Sequence, residues 1–341
     1  MSVPVVALTM GDAAGIGPEL VARVLLEPEV RSCCRLLLVG EAEIFARGAA
    51  VAGASLRFRR IDSVDDAAFD PAEPDVIAPD GPTLAGVPLA PRDPRAGAAA
   101  ASCLGLAYEL VAVRAVSAVA SAPLNKAGLQ AAGFEYRDEL AYLAAETGSD
   151  EPILIGLAGA VATTSVTLHV PLREVPDLLT CERVVRHAAV LAETVSALGA
   201  RPRLALAALN PHAGESGLLG REEIDVLAPA VEEARERSID LVGPLPADVI
   251  FPRAFRGDFN GVVCLYHDQA NIARKLAGAA GASLVLGLPA VLATTAHGTA
   301  YDIAGTGRAD PASLVRAIQA AAALATKTPR VRQATREEVP A

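Results

Sequence analysis

Along the chain, short apolar runs alternate with longer segments in which apolar residues recur with a helical period. Short apolar runs bounded by turn residues are typical of strands that are buried on both faces of a sheet. We predict such strands at Val3–Leu8, Cys34–Val39, Val116–Ala120, Pro152–Leu157, Val166–His169, Arg203–Ala208 and Val262–Tyr266. The longer segments carry an apolar stripe, and we predict helices at Pro18–Leu26, Ala98–Ala112, Cys181–Leu198, Glu222–Arg237 and Pro311–Ala325. This alternation of strand and helix indicates an α/β fold with mainly parallel sheets.

The composition is that of a folded protein and excludes several classes of partner. With 341 residues, 52% hydrophobic and 21% charged, the chain is long and apolar enough for two domains. The net charge of -10 disfavours nucleic acid and anionic membrane surfaces, and we predict neither as a partner. The five cysteines show no CxxC spacing, and no secretion signal or membrane-spanning run is visible, so we predict a cytoplasmic protein.

Two polar motifs directly follow predicted strands. The first is the turn Met10–Glu19, in which Gly11, Gly15 and Gly17 would let the backbone approach a cofactor. The alternative is a plain turn between a strand and a helix. The second motif ends in Asn125 and Lys126, and a lysine there would hold an anion or a cofactor phosphate. The alternative for Lys126 is a solvated side chain on the next helix.

Three of the five histidines lie at or just after the ends of predicted strands. They are His169, His212 and His267. Because the carboxyl ends of neighbouring parallel strands share one sheet edge, the three imidazoles are candidate ligands of one divalent cation. The alternative is three unrelated histidines, each bonded to a backbone carbonyl. His187 lies inside a predicted helix, where we expect it on a helix face.

The segment His297–Gly307 is a long loop of small residues. Such residues permit close approach of a flat ligand such as adenine with its ribose, and Asp302 would accept a hydrogen bond from a hydroxyl. We therefore predict that His297, Gly298, Thr299 and Asp302 contact a cofactor. The alternative is a glycine-rich surface loop.

Taken together, the motifs resemble those of the 4-hydroxythreonine-4-phosphate dehydrogenase family of pyridoxine biosynthesis. The resemblance runs from Val5 to about Ala325 and rests on GDAAGIGPE, SAPLNK, TLHVPLREV, LNPHAGE, GPLPAD, YHDQ and HGTAYDIAGTG. It implies two α/β domains with a cleft between them, as in isocitrate and isopropylmalate dehydrogenases. We assign residues 1–125 and 297–341 to a cofactor-side domain, and 126–296 to a central domain for metal, substrate and dimerisation.

The resemblance also implies an activity and its cofactors. Family members oxidise a secondary alcohol with NAD or NADP, and the resulting β-keto acid loses carbon dioxide. The family's three metal-ligating histidines correspond to His169, His212 and His267. An all-histidine site favours zinc, with magnesium, manganese or cobalt as alternatives. Family members are homodimers whose active sites combine residues of both subunits.

Departures from the family pattern concern the substrate. The family's substrate-binding lysine is kept as Lys275, but Glu139 and Leu140 replace a His-Thr pair, Ser283 replaces an asparagine and Leu292 replaces the phosphate-binding arginine. Loss of that arginine removes a charge-assisted partner of phosphate. The chain in this respect resembles the branch that acts on terephthalate-type cis-dihydrodiols, whose substrates carry no phosphate.

The leading prediction is therefore a metal-dependent NAD(P) dehydrogenase that decarboxylates a non-phosphorylated diol carboxylate, such as terephthalate 1,2-cis-dihydrodiol. Lys275 would orient the substrate anion or assist proton transfer, and Asp268 would handle a proton or support a metal ligand. One alternative is the pyridoxine-pathway reaction itself, with Arg137 or Arg274 restoring the phosphate contact. The other is a non-catalytic paralogue that binds a metal or a nucleotide.

Overall fold

The computed structural model describes residues 3–81, 84, 86–89, 93–131, 147–149 and 152–326. Twelve strands lie in one sheet of this part of the chain. They are β1 Val5–Thr9, β2 Arg35–Val39, β3 Arg59–Arg60, β4 Asp75–Ile77, β5 Ala118–Ser121, β6 Ile153–Ala158, β7 Val161–Ser165, β8 Leu204–Ala207, β9 Leu241–Leu245, β10 Gly261–Cys264, β11 Gly281–Leu286 and β12 Leu292–Thr295. Their order across the sheet is β3-β4-β2-β1-β5-β12-β11-β6-β7-β10-β8-β9.

The described α-helices connect these strands and cover both faces of the sheet. They are α1 Gly17–Val24, α2 Pro28–Cys33, α3 Ala42–Val51, α4 Pro94–Ala112, α5 Lys126–Ala131, α6 Val175–Leu178, α7 Cys181–Ala197, α8 Ala228–Glu236, α9 Ala247–Phe255, α10 His267–Leu276 and α11 Ala312–Ala325. Most of the buried apolar residues form one continuous core between the sheet and these helices. Among the described helices, none combines the length and the apolar character needed to cross a bilayer.

The sheet consists of two parallel blocks that run in opposite directions. The strands from β3 to β12 in the sheet order are parallel to each other, and so are β7, β10, β8 and β9. Between the blocks, β11 and β6 pair antiparallel with their neighbours. The carboxyl ends of the two blocks therefore lie at opposite edges of the sheet. We call them the glycine edge (after β1, β5 and β12) and the histidine edge (after β7, β10 and β8).

The α/β fold class is confirmed, and most predicted elements lie within a few residues of the observed ones. One strand is placed wrongly: the segment predicted at Val166–His169 follows β7, which ends at Ser165. The strand was missed because Thr163, Thr164 and Ser165 are polar, although all three are buried. The predicted helix Glu222–Arg237 begins with a π-helical turn before α8. The sheet is continuous through both predicted domains, and their boundaries stay a prediction.

Candidate active site

The glycine-rich turn at the glycine edge is buried in the protein and packs against its own neighbouring loops. A Cβ atom at Gly11 would lie 2.6 Å from the carbonyl oxygen of Pro123, and one at Gly17 would lie 2.4 Å from that of Met10. At Gly15 it would lie 2.8 Å from the carbonyl oxygen of Thr299. Glycine is therefore needed at these three positions for contact between protein segments, and their contact with a cofactor stays a prediction.

A buried carboxylate joins this turn to the loop after β12. Asp12 is 2% exposed, and its Oδ1 accepts a hydrogen bond from the backbone N–H of Ala14 at 2.8 Å. The hydroxyl of Tyr301 donates to Asp12 Oδ2 at 2.5 Å, and the N–H of Ile16 donates to the carbonyl of Thr299 at 3.1 Å. The two motifs thus form one structural unit. Sequence reasoning overlooked Asp12, because a single acidic residue in a turn is an ordinary solvated group.

The accessible groups of this unit belong to the loop after β12. His297, Gly298 and Asp302 are exposed, whereas Thr299 is buried. A Cβ atom at Gly298 would meet no atom within 4 Å, so the backbone there is open to a ligand. These positions keep their predicted cofactor role as a proposal, and Thr299 has a packing role.

The motif after β5 has a structural function at its asparagine. Asn125 Oδ1 accepts a hydrogen bond from the N–H of Gly128 at 2.8 Å and so caps α5. Lys126 begins α5, but its side chain lies outside the described part of the structure. The substrate positions Glu139 and Leu140, together with Arg137, also lie outside the described residues.

At the histidine edge, the three predicted ligands follow three adjacent strands. His169 comes after β7, His267 after β10 and His212 after β8, and β10 is paired with both of the others. The strand ends are tied together by hydrogen bonds. The N–H of Val166 donates to the carbonyl of Cys264 at 2.9 Å, which joins the ends of β7 and β10.

A buried glutamine, missed by sequence reasoning, joins the ends of β10 and β8. The N–H of Leu265 donates to Gln269 Oε1 at 2.8 Å, and Gln269 Nε2 donates to the carbonyl of Ala208 at 2.8 Å. Both partners are backbone groups directly after a strand. Gln269 therefore fixes the loops that carry His267 and His212 relative to each other.

Two of the three predicted ligands lie close together. The ring centroids of His169 and His267 are 5.2 Å apart, with the ring planes tilted by 49°. Asn271 Nδ2 lies 2.7 Å from His267 Nε2, and Asp268 Oδ1 lies 2.8 Å from His267 Nδ1. Because an amide N–H only donates, Nε2 is the acceptor, and Nδ1 carries the proton that is donated to Asp268. The Nε2 lone pair of His267 thus accepts from Asn271 in this structure, and a metal bound at Nε2 would replace that hydrogen bond.

The third predicted ligand points elsewhere. His212 is exposed, and its Nδ1 lies 2.9 Å from Glu215 Oε1. The backbone from His212 to Ser216 is left-handed throughout, with φ between 45° and 80°. In the described residues, no group of three His, Cys, Asp or Glu side chains is arranged to hold a metal ion. Within the described chain His212 therefore stands apart from the other two, because the left-handed turn directs it towards Glu215, and its role as a metal ligand stays a prediction.

The left-handed turn is held by a buried carboxylate. Glu223 Oε1 accepts hydrogen bonds from the N–H groups of Leu209 and Asn210 at 2.9 and 2.8 Å, and Glu223 Oε2 accepts from Asn210 Nδ2 at 2.9 Å. Left-handed helical backbone costs roughly 1–2 kcal/mol for each non-glycine residue. A strained segment with such anchoring is typical of functional loops.

The predicted substrate residues differ in how accessible they are. Lys275 is exposed in the last turn of α10, and Ser283 is half-buried on β11. Leu292 is 0% exposed on β12 and belongs to the main core. The prediction that Leu292 lines a pocket is corrected, because its side chain reaches no free surface.

His187 confirms its predicted place on a helix face. It lies on α7, buried, with Nδ1 2.8 Å from the hydroxyl of Thr164 on β7. Burial, with lesser contributions from the positive charges of Arg183 and Arg186, lowers the pKa of His187 to about 4. His187 is therefore an uncharged histidine of the core, whereas His169 and His267 are only half-buried.

Similarity to known proteins extends over almost the whole chain. The model of the family described as pyridoxal phosphate biosynthetic protein PdxA matches residues 32–321. The chain belongs to the PdxA family. The predicted membership is thus confirmed, and so is the class of oxidoreductase at the level of a dehydrogenase.

Two PdxA-like relatives bear the names of dehydrogenases with phosphorylated substrates. The 4-hydroxythreonine-4-phosphate dehydrogenase of Geobacter metallireducens is 39% identical over 331 residues, covering 94% of this chain and 96% of that protein. The D-threonate 4-phosphate dehydrogenase of Cupriavidus necator is 38% identical over 327 residues, covering 95% and 98%.

Among solved structures too, a dehydrogenase named for a phosphorylated substrate is more similar to this chain than one named for a dihydrodiol. A 4-hydroxythreonine-4-phosphate dehydrogenase from Klebsiella pneumoniae superimposes with a TM-score of 0.80 and 35% identity, covering 94% of this chain and 98% of that one. A terephthalate 1,2-cis-dihydrodiol dehydrogenase from Burkholderia xenovorans gives 0.67 and 29%, with coverage of 94% and 98%. The prediction of a terephthalate-type substrate is not supported by these similarities, and the phosphorylated alternative fits better.

Proposed function

We propose that this PdxA-family protein oxidises the secondary alcohol of a phosphorylated four-carbon hydroxy acid, of the 4-hydroxythreonine 4-phosphate or D-threonate 4-phosphate type. The observation that carries this proposal is the similarity of about 38–39% over nearly the full length to two such enzymes. The accessible loop after β12 would bind NAD or NADP. NAD or NADP would supply the acceptor for the hydride of the alcohol carbon, and a base would take the hydroxyl proton. The β-keto acid would then release carbon dioxide, and the carbon that loses the carboxylate would take up a proton.

The pair formed by His169 and His267 is suited to a divalent cation. His169 and His267 would hold it, with zinc favoured by the imidazole donors, and a third donor has to come from outside this pair. When bound, the cation supplies Lewis acidity to the alcohol oxygen. Asp268, whose Oδ1 lies 2.8 Å from His267 Nδ1, would orient the ring so that Nε2 is the ligating atom. Lys275, exposed at the end of α10, would bind the substrate carboxylate.

A homodimer is the arrangement that we propose for completing this site. Beside the histidine edge, α9 and α10 enclose an apolar groove of about 470 Å³. Phe255, Ile272 and Leu276 are exposed there, at 41%, 60% and 82%. Exposed apolar patches of this kind mark interaction sites. A second chain seated on this face would bring further donors to His169 and His267.

The test of the function is turnover with a panel of substrates. Purified protein supplied with zinc and NAD or NADP is given 4-hydroxythreonine 4-phosphate, D-threonate 4-phosphate and terephthalate cis-dihydrodiol, and reduced cofactor is followed by absorbance. The proposal predicts kcat/KM highest for a phosphorylated acid. Turnover of the dihydrodiol alone would contradict it. Sedimentation of the wild type and of Ile272→Asp tests the dimer, which the charged variant should dissociate.

A further inference from the structure

A row of small polar residues crosses the middle of the sheet on one face. Residues directly opposite each other on paired strands share a face, with Cβ atoms about 4.5–5.5 Å apart. The observed registers place the following residues in one such row, from β1 to β7: Thr9, Ser121, Thr294, Ser283, Gly156 and Thr163. In the interior of a parallel sheet, branched apolar residues are the usual occupants.

The centre of this row is accessible and has spare hydrogen-bonding capacity. Ser283 and Thr294 are half-buried, and within the described residues neither hydroxyl makes a hydrogen bond. The opposite face of the same strands is closed, since Ala282, Leu284 and Ala293 are 0% exposed where α11 packs. The two hydroxyls therefore lie on the face of β11 and β12 that is turned away from α11.

A guanidinium group occupies the space that a side chain at Gly156 would need, next to the hydroxyl of Ser283. A Cβ atom at Gly156 would overlap with Arg274 Nη1, so the arginine of α10 lies directly against β6 there. Gly156 is paired with Ser283, which places Arg274 beside the open hydroxyls. Glycine at position 156 provides the space that the guanidinium occupies.

Within the part of the chain that the structure describes, Arg274 lacks an anionic partner. One of its nitrogens, Nη2, donates to Asn271 Oδ1, while Nε is buried without a hydrogen-bond partner. Among the described residues no carboxylate forms an ion pair with it. A buried donor without a partner costs about 1–3 kcal/mol, more when charged, and a guanidinium matches the oxygens of a phosphate or a carboxylate. Arg274 therefore has donors available for a ligand.

We propose that Arg274, with the hydroxyls of Ser283 and Thr294, binds the anionic group of the substrate, and that this group is the phosphate. The identity of the substrate rests on the proposed function. A phosphate carries nearly two negative charges and three acceptor oxygens, which these donors match. Lys275, the next residue along α10, is then available as a separate cation for the carboxylate of the substrate. Arg274 on α10 would then compensate for Leu292, which replaces the family's phosphate-binding arginine.

Two variants weaken the subsite in different ways. Arg274→Met removes the charge but keeps the length of the side chain, and Gly156→Ala displaces the guanidinium without removing it. Arg316→Met is the matched control: Arg316 is likewise partly buried, donates only to the carbonyl of Gly159 among the described residues, and lies on α11 across the sheet. Asn271→Ala is a second comparison, since it removes the hydrogen bonds to His267 Nε2 and from Arg274 Nη2 but keeps the charge of the guanidinium.

The measurements are steady-state kinetics with D-threonate 4-phosphate and with unphosphorylated D-threonate, and inhibition by inorganic phosphate. We expect Arg274→Met and Gly156→Ala to raise KM for the phosphorylated acid and the Ki of phosphate by about 10- to 100-fold. D-threonate kinetics should change far less. Arg316→Met should change neither, and Asn271→Ala should act on kcat.

Several results would overturn the subsite. They are unchanged phosphate inhibition in both variants, an equal loss with D-threonate, or an equal loss in Arg316→Met. If the wild type oxidises only the dihydrodiol, the proposed function fails on that result. The subsite is then decided by calorimetry with inorganic phosphate: loss of binding in Arg274→Met supports it, and equal binding in wild type and variant rejects it.

Discussion

The glycine edge and the histidine edge carry the same kind of sequence signal and use it differently. At both edges a polar motif follows a buried strand. At the glycine edge the motif residues pack against each other, with Gly11 against Pro123 and Asp12 bonded to Tyr301. At the histidine edge His169 and His267 are only half-buried, their ring centroids lie 5.2 Å apart, and the hydrogen-bond partners of His267 are the side chains of Asp268 and Asn271 on its own helix. A polar residue directly after a strand is a candidate site residue, and the burial of its side chain indicates whether its role is structural or functional.

The largest expected effect comes from closing the space at Gly11. Gly11→Ala adds a Cβ atom 2.6 Å from a backbone oxygen at a residue with φ of +67°. Overpacking and left-handed strain together should lower the free energy of unfolding by about 3–4 kcal/mol, measured by urea denaturation. Gly53→Ala is the control, because φ is +68° there but no atom lies within 4 Å. It should cost about 1 kcal/mol, and equal losses would contradict the packing role of Gly11.

The buried histidine should make stability depend on pH. The pKa of His187 is about 4 in the folded protein against 6.5 for an ordinary histidine. Below pH 6.5 the unfolded chain binds a proton that the folded chain does not, so stability falls as the pH drops from 6.5 to 4. The fall should total about 3 kcal/mol. Unfolding of the wild type and of His187→Asn at several pH values measures it. The same slope in both proteins would show that His187 is not the cause.

Loosening the strand ends at the histidine edge should have a smaller effect. Gln269→Met keeps the volume but leaves the N–H of Leu265 and the carbonyl of Ala208 without their partner. We expect a loss of about 2 kcal/mol and weaker zinc binding. Calorimetry measures both quantities. Normal zinc affinity in a destabilised variant would mean that Gln269 does not position the histidine loops.

The fold class and the neighbouring strand ends of the three histidines were predictable, because both follow from hydrophobic patterning and parallel-strand topology. The reversal between the two blocks was not, since it depends on the pairing of β11 and β6. The left-handed turn at His212 depends on Glu223, and the place of Arg274 depends on Gly156. Contacts between residues this far apart in sequence leave no local pattern.

The smallest effect on stability is expected at Gly298. Its surroundings are open, so Gly298→Ala should change the free energy of unfolding by less than about 0.5 kcal/mol. If the loop binds the cofactor, the added methyl group should still raise the Kd for NAD or NADP severalfold, as measured by fluorescence titration. A large loss of stability, or unchanged cofactor binding, would assign the loop a different role.

The central claim is that His169 and His267 at the histidine edge hold a divalent cation. Calorimetric titration of metal-free protein with zinc, for the wild type, His169→Ala, His267→Ala and the exposed control His297→Ala, tests it most directly. The account predicts that each of the first two variants binds zinc at least about 10-fold more weakly, while His297→Ala binds like the wild type. Wild-type affinity in His267→Ala, or an equal loss in His297→Ala, would contradict it.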